Sequence, residues 1–179
     1  MTDEQLMEAV KNGELQHASI LFERYHKRIF NFLARMTFNR PLAEDLTQNV
    51  FMRMLRYSNS FRTGLNFQSW IYTVARNVFY DHFRSHKNKI SDYVEVENLS
   101  DRLQDATDAQ EQDEREQILH RSMALLNEEQ RELLILTRFQ NMKYEEVAVM
   151  MNTTVSNIKV KVHRTIQKLR EHYFQLEQH

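Results

Sequence analysis

Aromatic and basic side chains are interleaved in FQSWIYTVARNVFYDHFRSHKNK, residues 67–89, where Phe67, Trp70, Tyr72, Phe79, Tyr80 and Phe83 stand among Arg76, Arg84, Lys87 and Lys89. Such a mixture suits single-stranded nucleic acid: rings stack on unpaired bases, about 1–3 kcal/mol each, while cations neutralise phosphates. At roughly 100° per residue, Phe67, Ile71, Val74 and Val78 share a core stripe. Tyr72, Arg76, Tyr80, Phe83 and Lys87 fall on the opposite stripe. The competing reading buries this second face under another helix, because a helix apolar all round is usually interior. The residues alone allow both.

A second constellation lies near the C-terminus. Val155, Ile158, Val162, Ile166, Leu169 and Tyr173 recur at helical spacing, and Asn157, Lys161, Arg164 and Lys168 occupy the other side with Val160 beside them. Before them, YEEVAVMM (144–151) reads as a short helix and Asn152 to Thr154 as a turn, the layout of a helix-turn-helix. The leading end of the second helix of such a motif enters the major groove. There Asn and Arg pair with adenine and guanine edges and Val160 suits a thymine methyl. Lys161 and Lys168 suit phosphates, which fix orientation without reading sequence. The bland alternative is an amphipathic helix with a solvated basic face.

Other chemistry is poorly supplied. His82 and His86 have a metal-ligand spacing, with Asp81 adjacent, but no third ligand stands at a recognisable distance along the chain. No nucleophile, base and orienter assemble from motifs, so neither catalysis nor a cofactor is expected. With two glycines the chain cannot build a phosphate-cradling loop, and with no cysteine it has neither a disulfide nor a thiolate site. No apolar run reaches membrane-spanning length, and the opening MTDEQLMEAVKNG is acidic and amphipathic, so a soluble cytoplasmic protein is expected.

Two glycines and one proline in 179 residues favour long helices joined by short polar connections, an all-α fold. A capping box at Thr2 to Gln5 opens a first helix that Gly13 stops. Ile20, Leu21, Ile29, Phe32, Leu33 and Met36 mark a second helix over 14–38; a third runs over 41–57, and a loop at 58–66 precedes the aromatic helix. Further helices are expected near 116–125, over 128–139 behind a capping pattern at Asn127, and over 155–174. Charge is divided unevenly: residues 1–90 carry +5, residues 91–115 carry −7 and residues 116–179 carry +1. With no apolar periodicity, 91–115 reads as an acidic flexible linker between two small helical domains, 1–90 and 116–179.

Three segments in this order resemble the extracytoplasmic-function (ECF) group of sigma factors, the smallest sigma-70 relatives. AEDLTQNVFMRML (43–55) is similar to the family segment that docks on the coiled coil of the largest polymerase subunits. FQSWIYTVARNVFYDHFR (67–84) is similar to the segment that opens and reads the minus-ten element. Residues 126–170 are similar to the region whose helix-turn-helix reads the minus-thirty-five element. The resemblance implies Asp45, Leu46, Gln48, Asn49, Phe51 and Arg53 as polymerase-facing, Leu46 and Phe51 being equally suited to a core. It implies a base-capturing loop offering Phe61, Arg62, Leu65 and Asn66, and a strand-lining surface of Trp70, Tyr72, Arg76, Asn77, Tyr80, Arg84 and Lys87. For the upstream element it implies Thr154, Ser156, Asn157, Lys159, Val160, Lys161, Arg164 and Lys168.

The implied partners are core RNA polymerase, promoter DNA as duplex and melted non-template strand, and an anti-sigma factor able to hold the chain at a membrane. No small-molecule substrate and no membrane insertion are implied. The chain departs from the family pattern at Asn49, where an acid is frequent, and at 85–89 (SHKNK), a thinner basic run. Asn152 stands for a turn glycine, Asn157 for a threonine and Ile166 for a basic residue. Two other readings stay open at this level: a free-standing helix-turn-helix regulator, which leaves 43–55 and the aromatic face idle, and a helical adaptor or sigma mimic that binds only protein.

Overall fold

A computed structural model describes residues 1–87 and 114–178, the side chains of His86 and Lys87 excepted. The acidic segment expected to be a linker therefore lies, but for Glu114 and Arg115, outside the described residues. The described residues are helical, without a strand among them. The chain divides into two compact units: Met1–Ala34 with Pro41–Tyr93, and Arg35–Arg40 with Val94–His179.

In the first unit, α1 (Asp3–Lys11) opens on the expected capping box, in which Gln5 N–H donates to Thr2 Oγ1 and Thr2 N–H to Gln5 Oε1. It ends in a Schellman pair: Gly13 N–H donates to Val10 and Glu14 N–H to Ala9, with Gly13 at φ +98°. Leu6, Met7 and Val10 of α1 are buried, as are Leu21, Tyr25, Ile29, Phe32 and Leu33 of α2 (His17–Thr37). Ile20, expected on that stripe, is exposed, and Tyr25 takes the inward place. Helix α3 (Arg40–Arg56) contributes Ala43, Leu46, Val50, Phe51 and Met54. A 3-10 turn (Ser58–Ser60) leads to α4 (Phe67–Lys87).

Helix α4 buries Phe67, Ile71, Tyr72, Ala75, Val78 and Phe79, a wider arc than one stripe, while Val74 is only half-buried. The reason is its company. Phe67 N–H bonds Glu4 of α1, the Tyr72 ring meets Phe32 of α2 edge-on at 5.7 Å, and Asp81 pairs with Arg53 of α3 at 2.7 Å. With partners on α1, α2 and α3, α4 carries a wider apolar arc than a helix packed along a single stripe.

The second unit begins with α5 (Glu114–Ala124) and α6 (Glu128–Leu134). Asn127 forms the expected capping box with Gln130, its Oδ1 accepting from Gln130 N–H at 2.8 Å. Ile135–Phe139, expected as a plain continuation of α6, is a wide π-helical stretch, closed by Met142 N–H donating to Leu136 O across Asn141 at φ +53°. Then follow α7 (Tyr144–Met150) and α8 (Val155–Glu177). Between them Asn152 stands at φ +53°, with Asn152 N–H donating to Val149 and Thr153 N–H to Ala148. Asparagine bears the left-handed conformation better than most side chains, so the tight turn survives without glycine.

Candidate nucleic-acid interface

Three surfaces carry the candidate residues. On α3, Asp45, Gln48 and Asn49 are exposed, and the same stripe continues through Met52, 69% exposed, to Arg56. Leu46 and Phe51 are buried, so of the two roles left open for them the structure takes the core one. Arg53 is half-buried, with its guanidinium on Asp81 Oδ2, and the two line an open groove with Asn49, Met52, Arg56 and Tyr57. Met52, Arg56 and Tyr57 were absent from the sequence-based set. Counting four residues onward from Gln48, and four again, reaches the first two.

The loop before α4 divides between anchor and tip. Phe61 is 1% exposed, its ring edge-on to Trp70 at 5.6 Å and to Phe67 at 6.2 Å. It is a core residue and leaves the set of strand contacts. Arg62, Thr63, Leu65 and Asn66 are exposed around Gly64, which stands at φ +90°. The Asn66 side chain already has a local task, its Oδ1 accepting from Ser69 N–H at 2.9 Å as the N-cap of α4.

Along α4 the outward stripe is Trp70, Thr73, Asn77, Tyr80 and Arg84 rather than the stripe drawn through Tyr72. Tyr72 is 0% exposed and leaves the surface set, because Phe32 covers its ring. Asn77 and Arg84 are exposed; Trp70, Arg76 and Tyr80 are half-buried, with the Arg76 guanidinium 5.3 Å from the Tyr80 ring centre. Phe83, also half-buried, tilts against Phe79 at 4.6 Å. The surface is thus aromatic at its start and middle and cationic toward its end. Lys87, placed by sequence at its far end, has no described side chain.

In the second unit the expected duplex-reading residues are exposed, Thr154 as the N-cap of α8 and Ser156, Asn157, Lys159, Val160, Arg164 and Lys168 on the helix itself, Val160 at 46%. Their backs, Ile158, Val162 and Thr165, are buried. Thr154 caps the helix by accepting from Asn157 N–H at 3.1 Å, and Asn157 Nδ2 donates to Thr153 Oγ1 at 2.7 Å. A paired contact of Asn157 with adenine would therefore displace Thr153. Lys161 is half-buried and bonds Glu129 of α6 at 2.8 Å, which draws its charge toward the scaffold. His163 and Gln167, which the sequence-based set omitted, are exposed on the same face as Val160 and Arg164.

Among the described residues no group of three or more His, Cys, Asp or Glu could hold a metal ion, and no helix is long and apolar enough to cross a membrane. What these surfaces can do is stack, pair with phosphates and read base edges.

Comparison with known proteins agrees with that chemistry. The Sigma-70 region 2 family matches residues 21–89, and the Sigma-70, region 4 family matches residues 116–169. The RNA polymerase sigma factor CarQ of Myxococcus xanthus is 29% identical over 171 residues, which cover 96% of this chain and 97% of CarQ. The ECF RNA polymerase sigma factor SigM of Bacillus subtilis is 30% identical over 154 residues, 86% of this chain and 93% of SigM. In fold, the sigma factor RpoE, solved in complex with the anti-sigma factor NepR from Bartonella quintana, superposes with a TM-score of 0.69 at 23% identity, covering 86% of this chain and 94% of that one.

Proposed function

This chain belongs to the sigma-70 family of RNA polymerase sigma factors, in its extracytoplasmic-function group, and from that premise we propose how it works. It binds core RNA polymerase in the cytoplasm, directs it to a particular class of promoter and helps to melt the DNA, without catalysing a reaction itself. The observation that carries this is the pairing of two different outward helix faces on two separate units. One has half-buried rings beside Arg76 and Arg84, and the other has exposed polar and basic residues on a helix-turn-helix.

The division of labour follows from what each face can bind. On α8, Ser156, Asn157, Lys159, Val160 and Arg164 meet the minus-thirty-five duplex, where a good paired contact discriminates a base by about 1–3 kcal/mol. Arg62, Leu65, Asn66, Trp70, Arg76, Asn77, Tyr80 and Arg84 meet the melted minus-ten strand. Extruding a base costs a few kcal/mol, so the loop tip and the rings of α4 must together offset that cost. Asp45, Gln48, Asn49, Met52 and Arg56 of α3 face polymerase. The RpoE relative was solved with an anti-sigma factor bound; by extension, a dedicated anti-sigma partner regulates this chain and can hold it at a membrane.

Transcription in vitro with purified core polymerase on a promoter library tests this directly. Transcripts beginning at defined sites, dependent on the added chain, are expected. Duplex binding without any such transcripts would identify a free-standing regulator, and neither activity an adaptor.

A further inference from the structure

Helix α1 lies outside both matched family segments, yet it reaches the loop before α4 at three points. Lys11 Nζ donates to Phe61 O at 3.0 Å, where the loop begins. Thr63 Oγ1 donates to Glu8 Oε2 at 3.5 Å, the limit of hydrogen-bond length, at the tip. Phe67 N–H donates to Glu4 Oε1 at 3.0 Å, where the loop ends and α4 starts. Glu4, Glu8 and Lys11 are four and three residues apart in turn, hence on one stripe of α1. The helix that bears them is itself fixed: Leu6, Met7 and Val10 are buried, and Asp3 accepts from Tyr25 Oη and from Arg24 Nη1 of α2.

We propose that α1 is a clamp that sets the shape of the base-capturing loop, with Glu4 and Lys11 as positioning residues for the choice of minus-ten base. The proposal rests on the function given above. A loop closed only by its own backbone samples many shapes, and a pocket for an extruded base needs one. Here both ends are tied to the same rigid helix, Phe61 is wedged against Phe67 and Trp70, and only the tip around Gly64 faces outward. The residues doing the tying touch no DNA. Their contribution is to hold Arg62, Leu65 and Asn66 at a fixed distance from Trp70.

The test uses the full chain with core polymerase and promoters in which each non-template minus-ten position is varied in turn. Lys11→Met and Glu4→Ala are each expected to reduce discrimination at the captured position by about fivefold, the scale of a part-exposed charged hydrogen bond. Polymerase affinity and discrimination at the upstream element should stay as in the native chain. Lys11→Arg and Glu4→Gln, which keep a donor or an acceptor, should retain discrimination. The sole tryptophan, Trp70, gives a readout that needs no promoter: acrylamide quenching should rise in Lys11→Met and Glu4→Ala as Phe61 loosens. Unchanged discrimination in both variants, or a fall matched at every promoter position, would overturn the clamp. Failure of the native chain to start transcripts would overturn the function itself, whatever the variants do.

Discussion

Helices α4 and α8 are nearly equal in length, 21 and 23 residues, and both carry a candidate DNA surface, yet they are built on opposite terms. Helix α8 buries a narrow stripe, with Ile158, Val162 and Thr165 fully covered and its reading residues in water. Helix α4 buries Phe67, Ile71, Tyr72, Ala75, Val78 and Phe79, and leaves Trp70, Arg76 and Tyr80 half covered. The difference fits the two ligands proposed for them. Duplex DNA presents a ready-made groove, so a solvated polar face suffices to meet it. A melted strand has no shape of its own, so the protein must supply rigid rings, and rings become rigid by being partly embedded.

The sharpest way to break that comparison is to remove one ring of each kind from α4. Tyr72→Ala should cost the first unit about 3–5 kcal/mol in denaturant unfolding, as for other large core truncations. Tyr80→Ala should cost about 1 kcal/mol or less in stability. It should nonetheless reduce permanganate reactivity of unpaired promoter thymines by an amount corresponding to about 1–3 kcal/mol. Equal unfolding losses would make both residues core. On α8, Arg164→Ala should weaken upstream-element binding by about 1–3 kcal/mol and relax preference at one base, read by fluorescence anisotropy on a substituted set of duplexes. Asn152→Ala should lower the stability of the second unit by about 1 kcal/mol because of its left-handed φ, while Asn152→Gly should be close to neutral. The smallest effect belongs to Glu129→Gln, within about 1 kcal/mol in stability for an exposed pair. By releasing Lys161 for a phosphate, it should steepen the dependence of log affinity on log salt by about one.

Much of this was legible in the residues. The capping boxes at Thr2 and Asn127, the turn at Asn152 and the polar face of α8 follow from local rules, which suffice where the buried residues of a helix keep to one stripe, as Ile158, Val162 and Thr165 do. The aromatic helix is harder to read because periodicity reports that a helix is amphipathic, not how wide an arc its partners cover. Tyr72 and Phe61 have the residue types of nucleic-acid contacts, yet Phe32 and Trp70, distant in sequence or across a loop, enclose them. Position in a motif leaves Leu46 and Phe51 open between polymerase and core, whereas the fold buries both and exposes Met52 and Arg56. The π-helical stretch at Ile135–Phe139 had no sequence signal at all.

The acceptors at the head of α4 bear on how a strand can lie across it. A helix start offers unpaired N–H groups and a partial positive charge, an attractive berth for a phosphate. Here Glu4 takes the Phe67 N–H and Asn66 takes that of Ser69, and Glu4 brings a full negative charge to the spot. Two of its N–H groups are therefore already taken. On the function proposed above, the sugar-phosphate chain is expected to avoid the head of α4 and to run along its flank toward Arg76 and Arg84, leaving the loop tip to meet a base rather than a backbone. Two internal hydrogen bonds would then act as a sorting rule for which part of a nucleotide arrives where.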